Sequence, residues 1–541
     1  MGNRLKIQPH TLGAFILAWV YLNAFINLDI PLRSQTPRQL LLPSLEVWAL
    51  LLGLGWIARR GVTFTPRLYL PLMGLMILGR LFRLGDVIMP VYFNRPFNLY
   101  MDVGYLPGLA HLLVNSFSGR QLLWYGLATG ALVAAAVLAL WRSLRIAHRF
   151  FRNSSARSGF RGLTAAMALL VAADLFGPYP SGWRPPATTI TPRLAAEAAF
   201  ILNIRKIRRE GLSAVRMATA RIPNYEAPLS RLDGSDMYLF LIESYGETLF
   251  GHPEHWSRFK PVADRFAATL ARGGYRVCSR FMASPTFGGA SWLAFGTLES
   301  GVWLPDQMRY NFLVASNVPP LAEFFERAGY RTVSVMPGTT MPWPEGRYFG
   351  YQRDYHARDL DYRGPAFGWS PMPDQFVLDR IHRTEILNAR QPLFIRYVLV
   401  SSHAPFHQQP RYLEDWDRIG DGSVFHEMDP VVFPNNWPDL TGAFGAYLTA
   451  IRYELTVLGQ YLTRYIHDDA LIIIMGDHQP NAHLTGPAAA PLVPVHVISR
   501  SEKHLAAFHS SGWTPGIIPR NHPTQMRLDA FLPDFLEGFS R

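Results

Sequence analysis

The sequence predicts an N-terminal α-helical transmembrane domain of about five spans, followed by an α/β domain with a mostly parallel central sheet. Two observations predict this fold class. Apolar segments of bilayer-spanning length are concentrated in about the first third of the chain. After them, short strand-like runs alternate with helical patterns. At 541 residues the chain is also longer than one ordinary domain, so more than one unit is expected.

The transmembrane prediction rests on apolar segments close to the roughly 20 residues that a helix needs to cross a bilayer. These segments are residues 11–28, 39–58, 68–89, 121–141 and 163–176. The third is interrupted by Arg80, Arg83 and Asp86, and the last is short, so a lower count of spans stays open. No small-x-small cleavage site follows the first segment, which indicates a retained anchor rather than a signal peptide.

Basic residues predict the orientation of these spans. The loop between the fourth and fifth segments has no acid and carries Arg142, Arg145, Arg149, Arg152, Arg157 and Arg161. Short cytoplasmic loops are rich in Lys and Arg, so this loop is predicted to be cytoplasmic. With five spans, the residues after the last span then lie outside the cytoplasm. With four spans, they would lie inside it. We therefore expect a multi-pass membrane protein with its α/β domain on the extracytoplasmic side.

The formal net charge is +12, from 52 Lys and Arg against 40 Asp and Glu. Much of this excess lies in the loops that set the topology, so the membrane is an expected partner and nucleic acid is not. The single cysteine, Cys278, excludes an intrachain disulfide in any compartment.

We expect the transmembrane domain to cover residues 1–178, a linker with an interfacial helix to cover 179–235, and the α/β domain to cover 236–541. Proline is frequent in residues 178–192, which favours a linker. Residues 193–220 have helical spacing and include several basic side chains. Two interpretations stay open for this helix, which lies either on an anionic membrane surface or against the α/β domain.

The α/β prediction follows from the order of elements in the rest of the chain. The strand-like runs are residues 237–243, 275–281, 331–336, 393–401, 470–476 and 493–499. The helical patterns between them include residues 261–272, 319–328, 374–388 and 443–467. Alternation of this kind implies a largely parallel sheet that is covered by helices on both faces.

The most informative pattern is the apolar run 471–475 and the polar residues that follow it. A buried strand here delivers Asp477 and His478 to its carboxyl end, where α/β sheets bind their ligands. A hard carboxylate oxygen and an imidazole nitrogen are a common ligand pair for zinc or manganese. Taken alone, the pair also fits an ordinary loop cap.

Three further side chains fall at the ends of predicted elements. Glu243 ends an early strand, where a carboxylate is costly to bury unless it is paired or bound to metal. Ser291 opens a helix-like stretch, where the helix dipole favours an alkoxide and an anionic substrate. His403 follows another strand and could protonate a leaving group or hold a phosphate oxygen. A helix cap, an N-cap and a loop histidine are the plain structural alternatives.

In chain order, four motifs resemble the alkaline phosphatase/sulfatase superfamily. They are Ile242-Glu243-Ser244, Gly288-Gly289-Ala290-Ser291, Ser402-His403-Ala404-Pro405-Phe406 and Gly476-Asp477-His478. Behind membrane spans, they look most like the membrane-bound branch of lipoteichoic acid synthase-type phosphoglycerol transferases and lipid A phosphoethanolamine transferases. The resemblance covers about residue 236 to the C-terminus and implies that this is a sulfatase/alkaline phosphatase-like catalytic domain. It also implies a multi-pass protein of the bacterial inner (cytoplasmic) membrane with this domain on the periplasmic side.

The resemblance also implies the metal site. It makes Glu243, Asp477 and His478 metal ligands, and it makes Ser291 both a ligand and the nucleophile. Thr286 and Ser284 are the fallback candidates for the nucleophile. No Asp-x-x-x-His motif of a second zinc site precedes Asp477, so one divalent metal, zinc or manganese, is expected.

The remaining implied roles concern the substrate. His403 matches a histidine that contacts the substrate phosphate or the leaving group. Trp343 and Arg347 are similar to a Trp/Arg pair that contacts the headgroup in the glycerol-phosphate branch, although the spacing differs. The sequence around Ser291 lacks the Cys/Ser-x-Pro-x-Arg motif of true sulfatases, so sulfate-ester cleavage by that route is not expected.

The activity implied by the resemblance is transfer of a phosphoglycerol or phosphoethanolamine unit. The donor is a phospholipid, and the acceptor is an envelope glycan or lipid. The phosphoethanolamine branch carries several disulfides, and this chain has a single cysteine. The resemblance therefore favours the phosphoglycerol transferases. Two alternatives stay open: a membrane-anchored phosphodiesterase or phosphatase that uses water, and a non-catalytic envelope assembly protein on the same fold.

Overall fold

The structure is a computed structural model. It describes residues 9–27, 44–108, 119–152, 190–221, 227–434, 442–467, 469–486, 489–508, 512–520 and 525–540, with residues 110, 114, 164, 165, 168 and 225. The chain forms two compact units, Met1–Pro90 with Pro96–Ile204, and Val91–Arg95 with Arg205–Arg541.

Long helices make up the N-terminal part of the chain. They are α1 Pro9–Asn27, α2 Leu45–Arg59, α3 Pro66–Phe93, α4 Gly119–Arg152 and α5 Thr191–Arg221. The first four occupy the first four predicted apolar segments, and α5 confirms the helix predicted over 193–220. The fifth predicted segment, 163–176, lies outside the described residues except for 164, 165 and 168.

The predicted count of about five membrane spans is not confirmed. Within the described residues, two helices are long and apolar enough to cross a membrane by length and composition, over His10–Asn27 and Gly119–Arg152. The helix α2 has only 15 residues. The helix α3 is long, but Arg80, Arg83 and Asp86 lower its hydropathy. Length and composition alone therefore do not fix how many of these helices cross a membrane.

Two charged positions of α3, Arg83 and Asp86, are paired inside the first unit. Arg193 Nε lies 2.8 Å from Asp86 Oδ1, and Arg83 Nη1 lies 3.8 Å from Asp86 Oδ2. Arg193 also donates to the Phe97 carbonyl at 2.8 Å. Pairing of this kind is what makes ionisable groups tolerable among apolar helices.

The start of α5 is held by a carboxylate from α2. Glu46 Oε1 accepts hydrogen bonds from the backbone N–H groups of Ile190 and Thr191, at 3.0 and 3.1 Å. The first N–H groups of a helix have no partner inside the helix, and a negative charge near them is favoured by the helix dipole. Glu46 therefore stabilises the beginning of α5 although it lies far away in sequence.

The second unit contains a central mixed sheet. Its strands are β1 Met237–Ile242, β2 Arg276–Ala283, β3 Arg331–Met336, β4 Arg353–His356, β5 Leu393–Leu399, β8 Leu471–Gly476, β9 Leu492–Ser499, β10 Thr514–Pro515 and β11 Met526–Arg527. A separate small sheet pairs β6 Gln408–Gln409 with β7 Val431–Val432. The order in the main sheet is β10-β2-β9-β8-β1-β5-β3-β4, and β11 pairs with β2.

The mostly parallel prediction is confirmed for the centre of this sheet. β1 pairs in parallel with β5 and β8, and β3 pairs in parallel with β4 and β5. The strand β9 is antiparallel to both β8 and β2. A fully apolar run has the same appearance in either direction, so the sequence could not show this reversal.

Helices cover both faces of the sheet, as expected. They are α6 Pro253–Arg272, α7 Ser291–Ser300, α8 Gln307–Val314, α9 Leu321–Arg327, α10 Asp374–Ile381, α11 Ala443–Tyr465 and α12 Phe531–Phe539. Short helices are Leu99–Asp102, Thr248–Gly251, Ala482–Thr485 and Glu502–Ala506. All six residues of β1 are buried, and they alternate between two apolar cores, Tyr238, Phe240 and Ile242 in one and Met237, Leu239 and Leu241 in the other.

Several predicted boundaries shift by a few residues. The helix predicted from residue 261 begins at Pro253 and continues through Pro261. The helix predicted over 374–388 ends as a regular α-helix at Ile381 and continues as a π-helical turn over His382–Ile386. The first predicted strand ends one residue early, at Ile242, which leaves Glu243 in the turn that follows.

Candidate active site

Two neighbouring strands bring three potential metal ligands together. β1 and β8 pair in parallel with Ile242 opposite Gly476, so Glu243 and the Asp477–His478 pair leave the sheet side by side at its carboxyl edge. All three side chains are buried, with 6%, 1% and 1% of their surface exposed. One ligand atom from each lies within 4.8 Å of the others.

Backbone hydrogen bonds fix the direction of each donor atom. Asp477 Oδ1 accepts from the N–H groups of Ser244 and His478, at 2.8 and 2.7 Å. His478 Nδ1 lies 2.8 Å from the Gln479 carbonyl, which assigns the ring proton to Nδ1. His478 Nε2 then faces Glu243 Oε1 at 3.1 Å and Asp477 Oδ2 at 3.5 Å.

The atoms that face one another in this cluster are all acceptors. Neither Asp477 Oδ2 nor His478 Nε2 has a hydrogen-bond donor among the described residues, and both are buried. Buried polar atoms normally have partners, and facing carboxylates repel each other unless a cation or a proton lies between them. Carboxylate oxygens and an imidazole nitrogen fit zinc or manganese. The residues present therefore fit a divalent metal ion.

The same charges shift the protonation of the ligands. Burial tends to lower the pKa of His478, but the charges of Asp477 and Glu243 outweigh it and raise that pKa to about 9. Burial, followed by the charge of Glu243, raises the pKa of Asp477 above its usual range. Burial tends to raise the pKa of Glu243, yet the charges of His478 and His403 lower it overall. A metal ion that binds here displaces a proton.

Ser291 is brought to this cluster by a sharp turn before α7. Gly288, Gly289 and Ala290 all have positive φ angles, of 68°, 152° and 60°. A left-handed conformation is uncommon for alanine and is often found at functional sites. It places Ser291 as the first residue of α7, with its Oγ donating to Glu243 Oε2 at 3.1 Å. The positive end of the helix dipole therefore lies at this hydroxyl.

The fallback hydroxyls are used to hold the loop. Ser284 Oγ donates to the Asp477 carbonyl at 2.6 Å, and Thr286 Oγ1 donates to the Gly289 carbonyl. Among these three hydroxyls, Ser291 is the one with a hydrogen bond to a ligand carboxylate. The structure therefore favours Ser291 as the nucleophile.

His403 lies on the turn after β5, on the other side of β1. Because Leu399 pairs with Ile242, the segment after β5 emerges next to Glu243. Ser402 Oγ donates to the Glu243 carbonyl at 2.6 Å, which ties the two turns together. His403 is half-buried, its Nδ1 lies 2.6 Å from the Ala404 carbonyl, and its ring centroid is 5.4 Å from that of Trp369.

A buried pair of carboxyl groups, which the sequence did not single out, supports the His403 turn. Asp374 Oδ2 accepts from the N–H groups of Val400 and Ser401, at 2.8 and 2.6 Å. Asp374 and Glu454 are both fully buried and interact with each other. Burial, and then the charge of Asp374, raises the pKa of Glu454 well above its usual range. Two facing carboxyl groups in a buried site repel each other unless a proton lies between them, so we expect Glu454 and Asp374 to share one.

A second buried pair fixes α7 to the centre of the sheet. Arg396 on β5 lies 2.6 Å from Glu299 on α7, and both side chains have no exposed surface. Tyr351 donates to the other oxygen of Glu299 at 2.8 Å. The Arg396 guanidinium also lies 5.1 Å from the ring centroid of Phe295. These contacts hold the far end of the helix that begins at Ser291.

Trp343 and Arg347 are the predicted headgroup pair. Among the described residues, no contact joins them to the predicted metal ligands. Trp343 is half-buried and packs on Phe295 and Phe349, with ring centroids 5.9 and 5.5 Å apart. Arg347 is exposed. Trp343 thus contacts α7, the helix that begins at Ser291, while Arg347 stays accessible to a ligand.

Fold and site together define an α/β domain with a buried carboxylate–histidine cluster that fits a metal ion, beside a serine at a helix start. Residues 295–511 match the family model described as Sulfatase, and this match includes His403, Asp477 and His478. The resemblance to the alkaline phosphatase/sulfatase superfamily is therefore supported over this range. No match was found among curated protein sequences.

Solved structures to which this chain is similar include three bacterial proteins. The lipoteichoic acid synthase LtaP from Listeria monocytogenes is 13% identical, over 56% of this chain and 76% of its own, with a TM-score of 0.36. The C-terminal periplasmic domain of EcEptC from Escherichia coli is 17% identical, over 59% and 87%, with a TM-score of 0.37. The Streptococcus pyogenes phosphoglycerol transferase GacH, in complex with sn-glycerol-1-phosphate, is 13% identical, over 62% and 91%, with a TM-score of 0.36.

Substitution of the cluster is expected to remove the metal. Asp477→Asn and His478→Ala each delete one ligand, so we expect the purified protein to lose most of its bound zinc or manganese, measured by elemental mass spectrometry. His426→Ala is the matched control, because His426 is an exposed histidine outside the cluster. Equal metal content in all these proteins would contradict the assignment.

The shared proton of the carboxyl pair predicts a pH effect on stability. A carboxyl group whose pKa is raised by folding contributes stability that is lost as pH rises from its unfolded pKa of about 4.3 toward its folded pKa. In Glu454→Gln an amide N–H replaces the shared proton, so the gain in stability over the unsubstituted protein should grow as pH rises. Thermal unfolding at several pH values measures this difference, and Glu427→Gln, an exposed position, is the control. Parallel pH curves for all three proteins would exclude a shared proton.

Proposed function

We propose that the chain is a metal-dependent phosphotransferase. It moves a phosphoglycerol or phosphoethanolamine unit from a phospholipid to an envelope glycan or lipid acceptor, through a covalent intermediate on Ser291. The observation that supports this most is the hydrogen bond that Ser291 Oγ donates to Glu243. It lies in a buried cluster in which Asp477 Oδ2 and His478 Nε2 have no hydrogen-bond donor among the described residues. A hydroxyl at a metal site and at a helix start is suited to attack phosphorus.

The first step is an in-line displacement by Ser291. The proton of Ser291 Oγ passes to solvent, the Oγ forms a bond to the phosphorus of the donor, and the bond from phosphorus to the diacylglycerol oxygen breaks. His403 gives its proton to the departing oxygen. A divalent ion would be held by Glu243, Asp477 and His478, and it would supply Lewis acidity toward the Ser291 oxygen and the phosphoryl oxygens.

The second step releases the unit to the acceptor. His403 takes the proton of the acceptor hydroxyl, whose oxygen attacks phosphorus. The bond from phosphorus to Ser291 Oγ breaks, and the Oγ takes up a proton from solvent. Each displacement inverts phosphorus, so the two together retain its configuration. In the proposed roles, Arg347 contacts the headgroup from its exposed position, with Trp343 beside it.

Membrane attachment is part of the proposal. None of the most apolar window of α4 is buried within the protein, and side chains such as Leu132 are 71% exposed. Large exposed apolar surfaces mark contact with lipid or another protein. We propose residues 1–178 as the transmembrane domain, 179–235 as the linker and 236–541 as the catalytic domain. This domain faces the periplasm in a multi-pass inner-membrane protein and meets a donor that diffuses in the bilayer.

Ser291→Ala is expected to abolish the covalent intermediate. It removes the attacking oxygen, so turnover should fall by about 10³-fold or more. Mass spectrometry after incubation with a phospholipid donor should show a phosphorylated adduct on Ser291 in the unsubstituted protein and none in Ser291→Ala. Thr286→Val is the control and should keep the adduct. An adduct on Thr286 would contradict the assignment of the nucleophile.

Product analysis separates a transferase from a hydrolase. A phospholipid labelled in its headgroup should give a labelled glycan or lipid acceptor when envelope material is present. Free headgroup phosphate as the dominant product, with acceptor in excess, would instead support the water-using phosphodiesterase or phosphatase. A labelled acceptor that still forms with Ser291→Ala would contradict both.

A further inference from the structure

A groove on the second unit lies outside the site described above. It has a volume of about 300 Å³ and runs between α6 and α11, which form its two walls. Three arginines line it, Arg258 and Arg265 from α6 and Arg452 from α11, and no acidic residue lines it. Its floor is apolar and includes Phe266 and Leu455.

The two helices place the arginines at two levels of the groove. A Cβ on Gly445 would lie 3.5 Å from Arg258, and a Cβ on Gly459 would lie 3.2 Å from Phe266, so the helices run side by side in the same direction. Arg258 and Arg265 are seven residues apart on α6, so they lie roughly 10 Å apart along its axis. Arg452 on α11 lines the opposite wall.

These arginines have no carboxylate partners among the described residues. All three are exposed, and none forms an ion pair there. By contrast, Lys260 on the same helix lies 2.6 Å from Asp264. Arg258 stacks on the ring of Phe444, at 5.1 Å from its centroid. Like charges that converge on one groove repel each other, and an anion between them relieves this repulsion.

The shape of the groove favours a single chain over a membrane surface. The arginines line a concave channel, whereas a flat bilayer would contact the convex face of a helix. Guanidinium groups bind phosphate, sulfate or carboxylate through paired hydrogen bonds, and the apolar floor accommodates the uncharged parts of a chain. We propose that this groove binds a linear polyanion of the anionic glycan class, with charged groups about 10 Å apart.

The groove opens toward the edge of the sheet that carries the metal ligands. Tyr447, near the start of α11, donates to the Ser244 carbonyl at 2.8 Å, and Ser244 follows Glu243. Near the start of α6, His255 Nδ1 lies 3.0 Å from Thr248 Oγ1 in the segment after β1. A chain bound in the groove would thus extend toward Ser291. That such a chain is the acceptor rests on the proposed function, whereas binding of the chain in the groove is independent of it.

The test measures binding by the full-length Ser291→Ala protein in a neutral detergent, so that catalysis plays no part. The probe is a fluorescently labelled linear polyphosphate of uniform length, followed by anisotropy. Replacing one of the three arginines with Gln should weaken binding about threefold, and the triple variant should weaken it about thirtyfold. Lys260→Gln is the matched control on α6 and should bind like the parent. Arg265→Lys with Arg452→Lys keeps both charges and should give an intermediate loss, because lysine lacks the paired hydrogen bonds.

Three results would overturn the proposal. The triple variant could bind polyphosphate as tightly as its parent, or Lys260→Gln could lose as much binding as the arginine variants. Alternatively, vesicles of anionic lipid could bind in an arginine-dependent way while polyphosphate does not, which would make the groove a membrane contact. In each case the adduct on Ser291 is measured separately, so failure of this proposal leaves the proposed function standing.

Discussion

Parallel pairing of β1 with both β5 and β8 is the constraint on which the site depends. The register places Ile242 opposite Leu399 and Gly476, so the turns that follow these strands leave the sheet at one level. Glu243 thereby meets the Asp477–His478 pair on one side and the His403 turn on the other. A slip of one residue would move a turn by about 3.3 Å and reverse the faces of every side chain.

The electrostatics of the site follow from this placement. Buried acceptor atoms with fixed directions are unfavourable by themselves, and they become favourable when a cation binds among them. Two further buried pairs make the surroundings rigid: Asp374 with Glu454 under the His403 turn, and Glu299 with Arg396 behind α7. Such support outside the ligands sets how well a metal site and its nucleophile are aligned. Ser291, the proposed nucleophile, is held from both ends of α7, by the turn before it and by the ion pair at Glu299.

Much of this domain was predictable because its central strands are apolar runs that end in polar residues. The sequence places Asp477, His478 and Glu243 directly after such runs, so their meeting at one edge follows from a parallel sheet. The choice among Ser284, Thr286 and Ser291 was not predictable, since it depends on backbone angles at residues 288–290. Arg396 and Glu299 are 97 residues apart, and a sequence shows each only as a charge in an apolar stretch. The number of membrane spans was not predictable either. Asp86 of α3 pairs with Arg193 in the folded chain, and amino-acid composition does not record such pairing.

The measurement that tests the central claim most directly is anomalous X-ray scattering from crystals of the purified protein, recorded at the absorption edge of the bound metal. The account predicts one metal peak about 2.0–2.2 Å from carboxylate oxygens of Glu243 and Asp477 and from His478 Nε2, with Ser291 Oγ as a further ligand. A peak bound by other residues, or a fully loaded protein with no peak at this cluster, would contradict it.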